Sequence, residues 1–269
     1  GPWLNPRVRG KLKIGDAVIY AQDGGNIEAD LDIRDGLLKL KSVATRASWG
    51  RASASGQIRL WRGRFDQLDK RMPFKARNVI VRELQLDNLL PEIGISARVS
   101  VKADRVDGEA TRLLETIEGV GTIRGTQVKL GVDEAKEVVA KLEANARTVR
   151  AKDIRVTLTS GDELLGSLTF YKNQQRLSAQ LKTDALPFES IKYLEHAGIP
   201  LKGQVTSSLE LEGTLKDPIV IGTVSFQDLA IEPLKLGSGS FNVVPAGNGR
   251  LEFVAEEGRD LPGLKLLED

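Results

Sequence analysis

Between Gly203 and Pro218 the side chains change character at every second position. Val205, Leu209, Leu211 and Leu215 share one parity, while Glu210, Glu212 and Lys216 share the other. An extended strand sends successive side chains to opposite faces, so this run reads as sheet with one apolar and one polar face. Asp217-Pro218 ends it, because proline cannot donate to a strand ladder. A second run, Ile219 to Phe226, follows directly.

The same phrase recurs along the chain. Val8 to Tyr20 alternates loosely, and Asp23-Gly24-Gly25-Asn26 carries a turn signal. Ile27, Ala29, Leu31 and Ile33 then alternate against Glu28, Asp30, Asp32 and Arg34, and Asp35-Gly36 turns the chain into Leu37 to Val43. Further strands are expected at 48–54, 56–61, 79–81, 84–86 and 99–103, the last carrying Val99 and Val101. The stretch 109–118 suits a short helix or an irregular strand. After 153, strands resume at 154–158, 164–170 and 177–181, and a final sheet spans 203–255 with its last turn at 246–249. Turns at such regular spacing describe a meander.

Two segments depart from the pattern. Asp133 to Arg147 places Ala135, Val138, Val139, Leu142 and Ala146 at helical spacing, with Asp133 as its cap. The expectation is a helix whose Val138, Val139 and Leu142 cover one end of the sheet or gate a groove. A shorter helix fits Pro187 to Ala197, with Phe188, Ile191 and Leu194 as its stripe and Gly198 ending it. The resulting division is 3–130 and 153–255 as β repeat regions, 131–152 as a helical insertion, and 256–269 as a tail expected to fray. Gly1-Pro2 resembles a tag-cleavage scar, so the chain is expected to be a fragment of a longer protein.

No catalytic or metal set emerges. The chain has no cysteine and one histidine, His196, which suits the end of the short helix better than a zinc site. Gly119-Val120-Gly121-Thr122-Ile123-Arg124-Gly125 has its third glycine one position late for a dinucleotide loop. Asp30 to Gly36 fails the calcium-loop pattern, with arginine and glycine at its fifth and seventh positions. Ser238 lies in a Gly-Ser-Gly-Ser run that is turn chemistry. With 39 basic and 37 acidic residues, charge is nearly balanced, and no basic tract points to nucleic acid. The expectation is a protein that is not an enzyme and needs no cofactor. No apolar run is long enough to span a bilayer.

The order of Leu186-Pro187-Phe188, Pro200-Leu201-Lys202-Gly203 and Gly213-Thr214-Leu215-Lys216-Asp217-Pro218 resembles the AsmA-like family of Gram-negative envelope proteins, in particular its TamB branch. The likeness covers about 45 residues; the first 180 agree in texture only. It implies a mainly β fold: a long, twisted antiparallel sheet curled into an open, U-shaped trough with an apolar interior, plus one or two short helices. It further implies a segment of an inner-membrane-anchored, periplasm-spanning bridge that carries phospholipid towards the outer membrane. The acyl chains would lie on Ile27, Ala29, Leu31, Ile33, Val99, Val101, Val205, Leu209, Leu211 and Leu215. A scaffold or chaperone for outer-membrane β-barrel proteins, and a β-sandwich binding module, are the alternatives.

Overall fold

A computed structural model describes residues 7–19, 22–62, 67–89, 95–214, 218–231, 233–247 and 250–255. Among them, fifteen strands follow one another. They are β1 (Val8–Ile19), β2 (Gln22–Arg34), β3 (Leu37–Ala47), β4 (Gly50–Arg59) and β5 (Pro73–Gln85). Next come β6 (Ile95–Glu109), β7 (Glu118–Leu130), β8 (Asp133–Ala144), β9 (Thr148–Leu158) and β10 (Glu163–Tyr171). The last are β11 (Arg176–Pro187), β12 (Leu201–Thr214), β13 (Pro218–Ile231), β14 (Leu234–Gly247) and β15 (Arg250–Ala255). All belong to one antiparallel sheet whose spatial order is the chain order, and the sheet does not close into a barrel. Helical structure is confined to connections: α1 (Leu86–Leu89), α2 (Leu113–Thr116) and α3 (Lys192–His196), with 3-10 turns at Ala110–Arg112 and Phe188–Ser190.

Two compact units are present, Gly1–Thr126 with Ala140–Arg150, and Gln127–Val139 with Ala151–Asp269. The helical insertion expected at 131–152 is absent, and the division instead falls within β7, β8 and β9. Asp133–Ala144 is strand β8. Its sequence supports two periods at once: Ala135, Val138, Val139 and Leu142 at helical spacing, and Val138, Ala140, Leu142 and Ala144 at strand spacing. Helix propensity is a weak preference that surroundings override. A helix here would leave β7 and β9 each without a partner on one side, stranding a row of backbone donors and acceptors. Ala140, on the strand-spaced set, is among the most buried residues of the chain. Val138 and Leu142 therefore share a sheet face from which Val139 points away, and the three form no groove-covering helix.

Three smaller expectations also change. Residues 48–61 hold one strand, β4, because the backbone continues through Gly56. Residues 79–85 belong to β5 rather than to two short runs, and Leu86 begins α1. Asp23 to Asn26 lies inside β2, where Gly25 (φ +60°) marks a register shift against β1 and not a chain reversal. The short helix after Pro187 is present in reduced form, as a 3-10 turn followed by α3. Gly1-Pro2, Leu215 and the 256–269 tail lie outside the described residues.

Register shifts explain how long strands keep one face apolar. In β5 the apolar set runs Phe74, Ala76, then Val79, Val81, then Leu84, changing parity twice. Asn78 and Glu83, at the two changes, have φ of +50° and +57°. The ladder with β4 shifts at the first of these places and the ladder with β6 at the second. Each is a bulge: one extra residue in a left-handed conformation returns the next apolar side chain to the same face. Ala185 in β11 and Asp228 in β13 do the same ahead of Leu186 and Leu229.

Candidate functional site: an uncovered apolar sheet face

In the second unit, cross-strand pairing sorts the side chains of β10 to β15 cleanly, since residues directly opposite share a face. One row reads Gly166, Leu181, Leu209, Gly222, Val243 and Phe253. The next reads Leu168, Ala179, Leu211 and Val220. Further rows add Phe170 with Leu177, Leu186 with Val205 and Phe226, and Val224 with Phe241. The Phe226 and Phe241 rings lie with centroids 5.5 Å apart, tilted by 31°. Val205 and Leu186 are buried, while Leu181 (41% exposed) and Phe253 (56% exposed) are open to solvent. Among the described residues no large side chain is fully buried. This face is thus apolar and only partly covered by its own neighbours.

Its two polar members satisfy each other. Thr183 Oγ1 and Ser207 Oγ lie 3.0 Å apart, and Ser207 N–H donates to Thr183 Oγ1 at 2.9 Å. Paired in this way, they place no unmet polar group on the face.

The opposite face carries Gln180, Lys182, Ser208, Glu210 and Glu212. It is not wholly polar: Leu165, Ile219 and Ile221 stand exposed on it. The contrast between faces is therefore strong along β11 and β12 and weak along β13.

The first unit repeats the arrangement. Ile27, Ala29, Leu31 and Ile33 of β2 face Ile14, Leu12, Gly10 and Val8 of β1, and Thr45, Val43, Leu40 and Leu38 of β3. Val99 and Val101 of β6 face Leu84 and Val81 of β5. Ala29 and Val99 are buried and Ile27, Leu31, Ile33 and Val101 half-buried, while Val8, Leu12 and Ile14 of β1 are exposed. Every described residue expected to line a groove thus lies on the apolar face of its own unit. The alternation also continues through Leu168, Leu177, Ala179, Leu181 and Val243, which sequence reasoning did not single out although their period is equally plain.

The connection from β11 to β12 is pinned to two hairpin ends of the second unit. Asp133 Oδ1 accepts from Tyr193 N–H of α3 at 3.2 Å, so Asp133 serves a helix, though not its own segment. Glu134 pairs with Lys129 at 2.8 Å and Lys192 at 3.5 Å, and these cations, Lys129 foremost, hold its carboxyl below the usual range. Asp162, between β9 and β10, accepts from Ser190 Oγ at 2.6 Å and Ser160 Oγ at 2.7 Å. These two hydroxyls, Ser190 first, lower its pKa.

Among the described residues, no group of three His, Cys, Asp or Glu side chains is placed to hold a metal ion. His196 closes α3, and Gly119 to Gly125 lie within strand β7 and form no loop. Asp30 and Asp32 sit on the polar side of β2, where Asp32 pairs with Arg9 at 2.8 Å. Ser238 Oγ accepts from Asp228 N–H at 3.1 Å within the β13–β14 ladder. No described helix is long and apolar enough to cross a membrane. Comparison of the chain with family models, curated proteins and solved structures finds no match.

Proposed function

We propose that the chain is a segment of a bridge-like, periplasmic lipid carrier in which the apolar sheet face holds phospholipid acyl chains. The observation that supports this reading is the run of apolar rows from β10 to β15, left partly open by a single sheet. Exposing a methylene to water costs about 0.8 kcal/mol, so an acyl chain gains at every position where it replaces water on such rows. Moving from one row to the next breaks no polar contact. The transfer needs no acid, base or metal, and the parent protein's membrane anchor would lie outside this segment.

Lipid recovery tests the reading. The purified protein is extracted with organic solvent and its phospholipid measured by mass spectrometry, for the wild type, Leu211→Arg and Glu210→Arg. The wild type and Glu210→Arg should carry equal lipid, and Leu211→Arg several-fold less, because a charge on the apolar row is heavily penalised. A photocrosslinker at 211 should label lipid, and one at 210 should not. Equal lipid in all three proteins, or none in any, removes the proposal.

A second reading rests on the sheet's edges. Among the described residues, β1 and β15 each have a ladder partner on one side only. Strand addition to such an edge would suit a scaffold for outer-membrane β-barrel proteins. Protection of the β15 amides by an added β-barrel strand peptide, with no lipid recovered, would favour it over the carrier.

A further inference from the structure

The polar face of the first unit contains a row that breaks the charge logic of its surroundings. Arg46 of β3 stands opposite Arg51 of β4, and Arg51 stands opposite Arg82 of β5. Asn26 of β2 continues the row beside Arg46. Like charges directly opposite one another destabilise a sheet. Elsewhere on this face cations are paired with carboxylates. Arg9 meets Asp32, and Lys13 meets Glu28, both at 2.8 Å, while Arg105, which stands opposite Arg77, is neutralised by Asp107. The arginine row receives little such relief. Arg51 Nε lies 3.3 Å from Glu83, but among the described residues Arg46 and Arg82 have no ion pair. The nearby Glu28 carboxylate is already held by Lys13.

The row lines a concavity of about 600 Å³, together with Asn26, Ser53 and Glu28. We propose that it is a binding site for a phosphate group. Guanidinium forks match tetrahedral oxyanions with paired N–H donors, and three of them converging on one hollow supply charge that Glu83, paired with Arg51, balances only in part. Asn26 and Ser53 add neutral donors at the margin. Such a group occurs both on a soluble phosphate ester and on a lipid headgroup. The proposal does not depend on the opposite face carrying acyl chains.

Inorganic phosphate is titrated into the intact protein at fixed ionic strength, with chloride as the balancing anion. Melting temperature and calorimetric heat should both respond to phosphate and not to chloride. Arg82→Gln should weaken binding about tenfold, the loss of one charge-assisted fork. The triple Arg46→Gln, Arg51→Gln, Arg82→Gln should abolish it, yet melt no lower than the wild type in chloride, because it removes repulsion. The triple lysine variant keeps the charge and should still bind at least about fivefold more weakly, having lost the forks. Lys11→Gln with Lys39→Gln and Lys75→Gln removes equal charge from outside the hollow and should leave binding intact. Phosphatidylcholine vesicles with and without phosphatidic acid separate the sources. Row-dependent retention on the doped vesicles assigns a headgroup, and phosphate binding without retention assigns a soluble ester. Wild-type affinity in the glutamine triple, or an equal loss in the lysine control, overturns the site, as does the absence of both phosphate and vesicle binding.

Discussion

Gly222 shows how closely single residues fix the apolar face. It lies between Leu209 and Val243 in one row, with φ of +149°, and a Cβ there would fall 2.1 Å from the Ser208 carbonyl oxygen. Gly222→Ala must therefore move backbone as well as adopt a conformation that L-residues avoid. It should destabilise the protein by about 1–3 kcal/mol, read as a lower denaturant midpoint at unchanged slope. A midpoint within about 0.5 kcal/mol of the wild type would mean that the ladder relaxes freely at this point. Residues of this kind also mark what the sequence made legible. The alternation of Leu209 and Leu211 against Glu210 and Glu212 was plain, because the period of two survives wherever a strand is regular. The joins were not plain. At Asn78, Glu83, Ala185 and Asp228 the apolar parity changes within a continuous strand, and a reader of alternation sees two short strands or a turn. The available signal is a parity change with Asn or Asp at its centre, since these residues tolerate a left-handed backbone, and Glu83 and Ala185 carry no such signal. The arginine row was invisible for another reason. Arg46, Arg51 and Arg82 meet only once the register of three strands is known.

At the level of elements, β8 departs from the helix the sequence suggested, while α3 keeps its own in shortened form. Asp133 precedes an apolar stripe at helical spacing, as a cap should, yet its carboxylate receives an N–H of α3, sixty residues away. Local pattern specifies what a segment can form, and open ladders on both sides decide what it does form. The segment containing α3 has five helical residues, too few to be stable alone, so its order depends on its pins. Asp162 is the pin whose protonation can be followed. Hydrogen bonds from Ser190 and Ser160 favour its carboxylate, so its pKa is lower folded than unfolded. Its contribution is therefore fully present above the ordinary carboxylate value of about 3.9 and is lost as pH falls through the depressed folded value. Amide exchange at 188–196, corrected for intrinsic rate, should rise in acid relative to that in β11 and β12. Asp162→Ala should show the raised exchange already at neutral pH and lose the acid-dependent part. An unchanged exchange pattern in that variant would assign the order of this segment to Asp133 and Glu134 instead.

For the whole chain, the consequence of consecutive pairing is limited cooperativity. Each strand pairs with the strands before and after it in sequence, and among the described residues no large side chain is fully buried. A domain with a central core loses all its contacts together, whereas a meander of this kind resembles a linear array in which each element leans on its neighbours. Unfolding can then begin at an edge and advance strand by strand without first opening a shared interior. β15 is the weakest candidate to resist, having six residues against fourteen in β14 and a partner on one side only. Hydrogen exchange should therefore be fastest in β15, slower in β14, and slowest in strands flanked on both sides, with β1 repeating the gradient at the other edge. In calorimetry the van't Hoff enthalpy should fall below the calorimetric one, the mark of a transition that is not two-state. Added phospholipid gives a further handle. If acyl chains occupy the apolar rows, they bridge β11 to β14 and bind the folded sheet alone, so they should raise protection in those strands together and narrow the transition. Protection that rises uniformly, or only at the polar face's hairpin turns, would place the lipid elsewhere. A single sharp transition in the lipid-free protein, with equal exchange from β1 to β15, would show instead that the sheet folds as one unit.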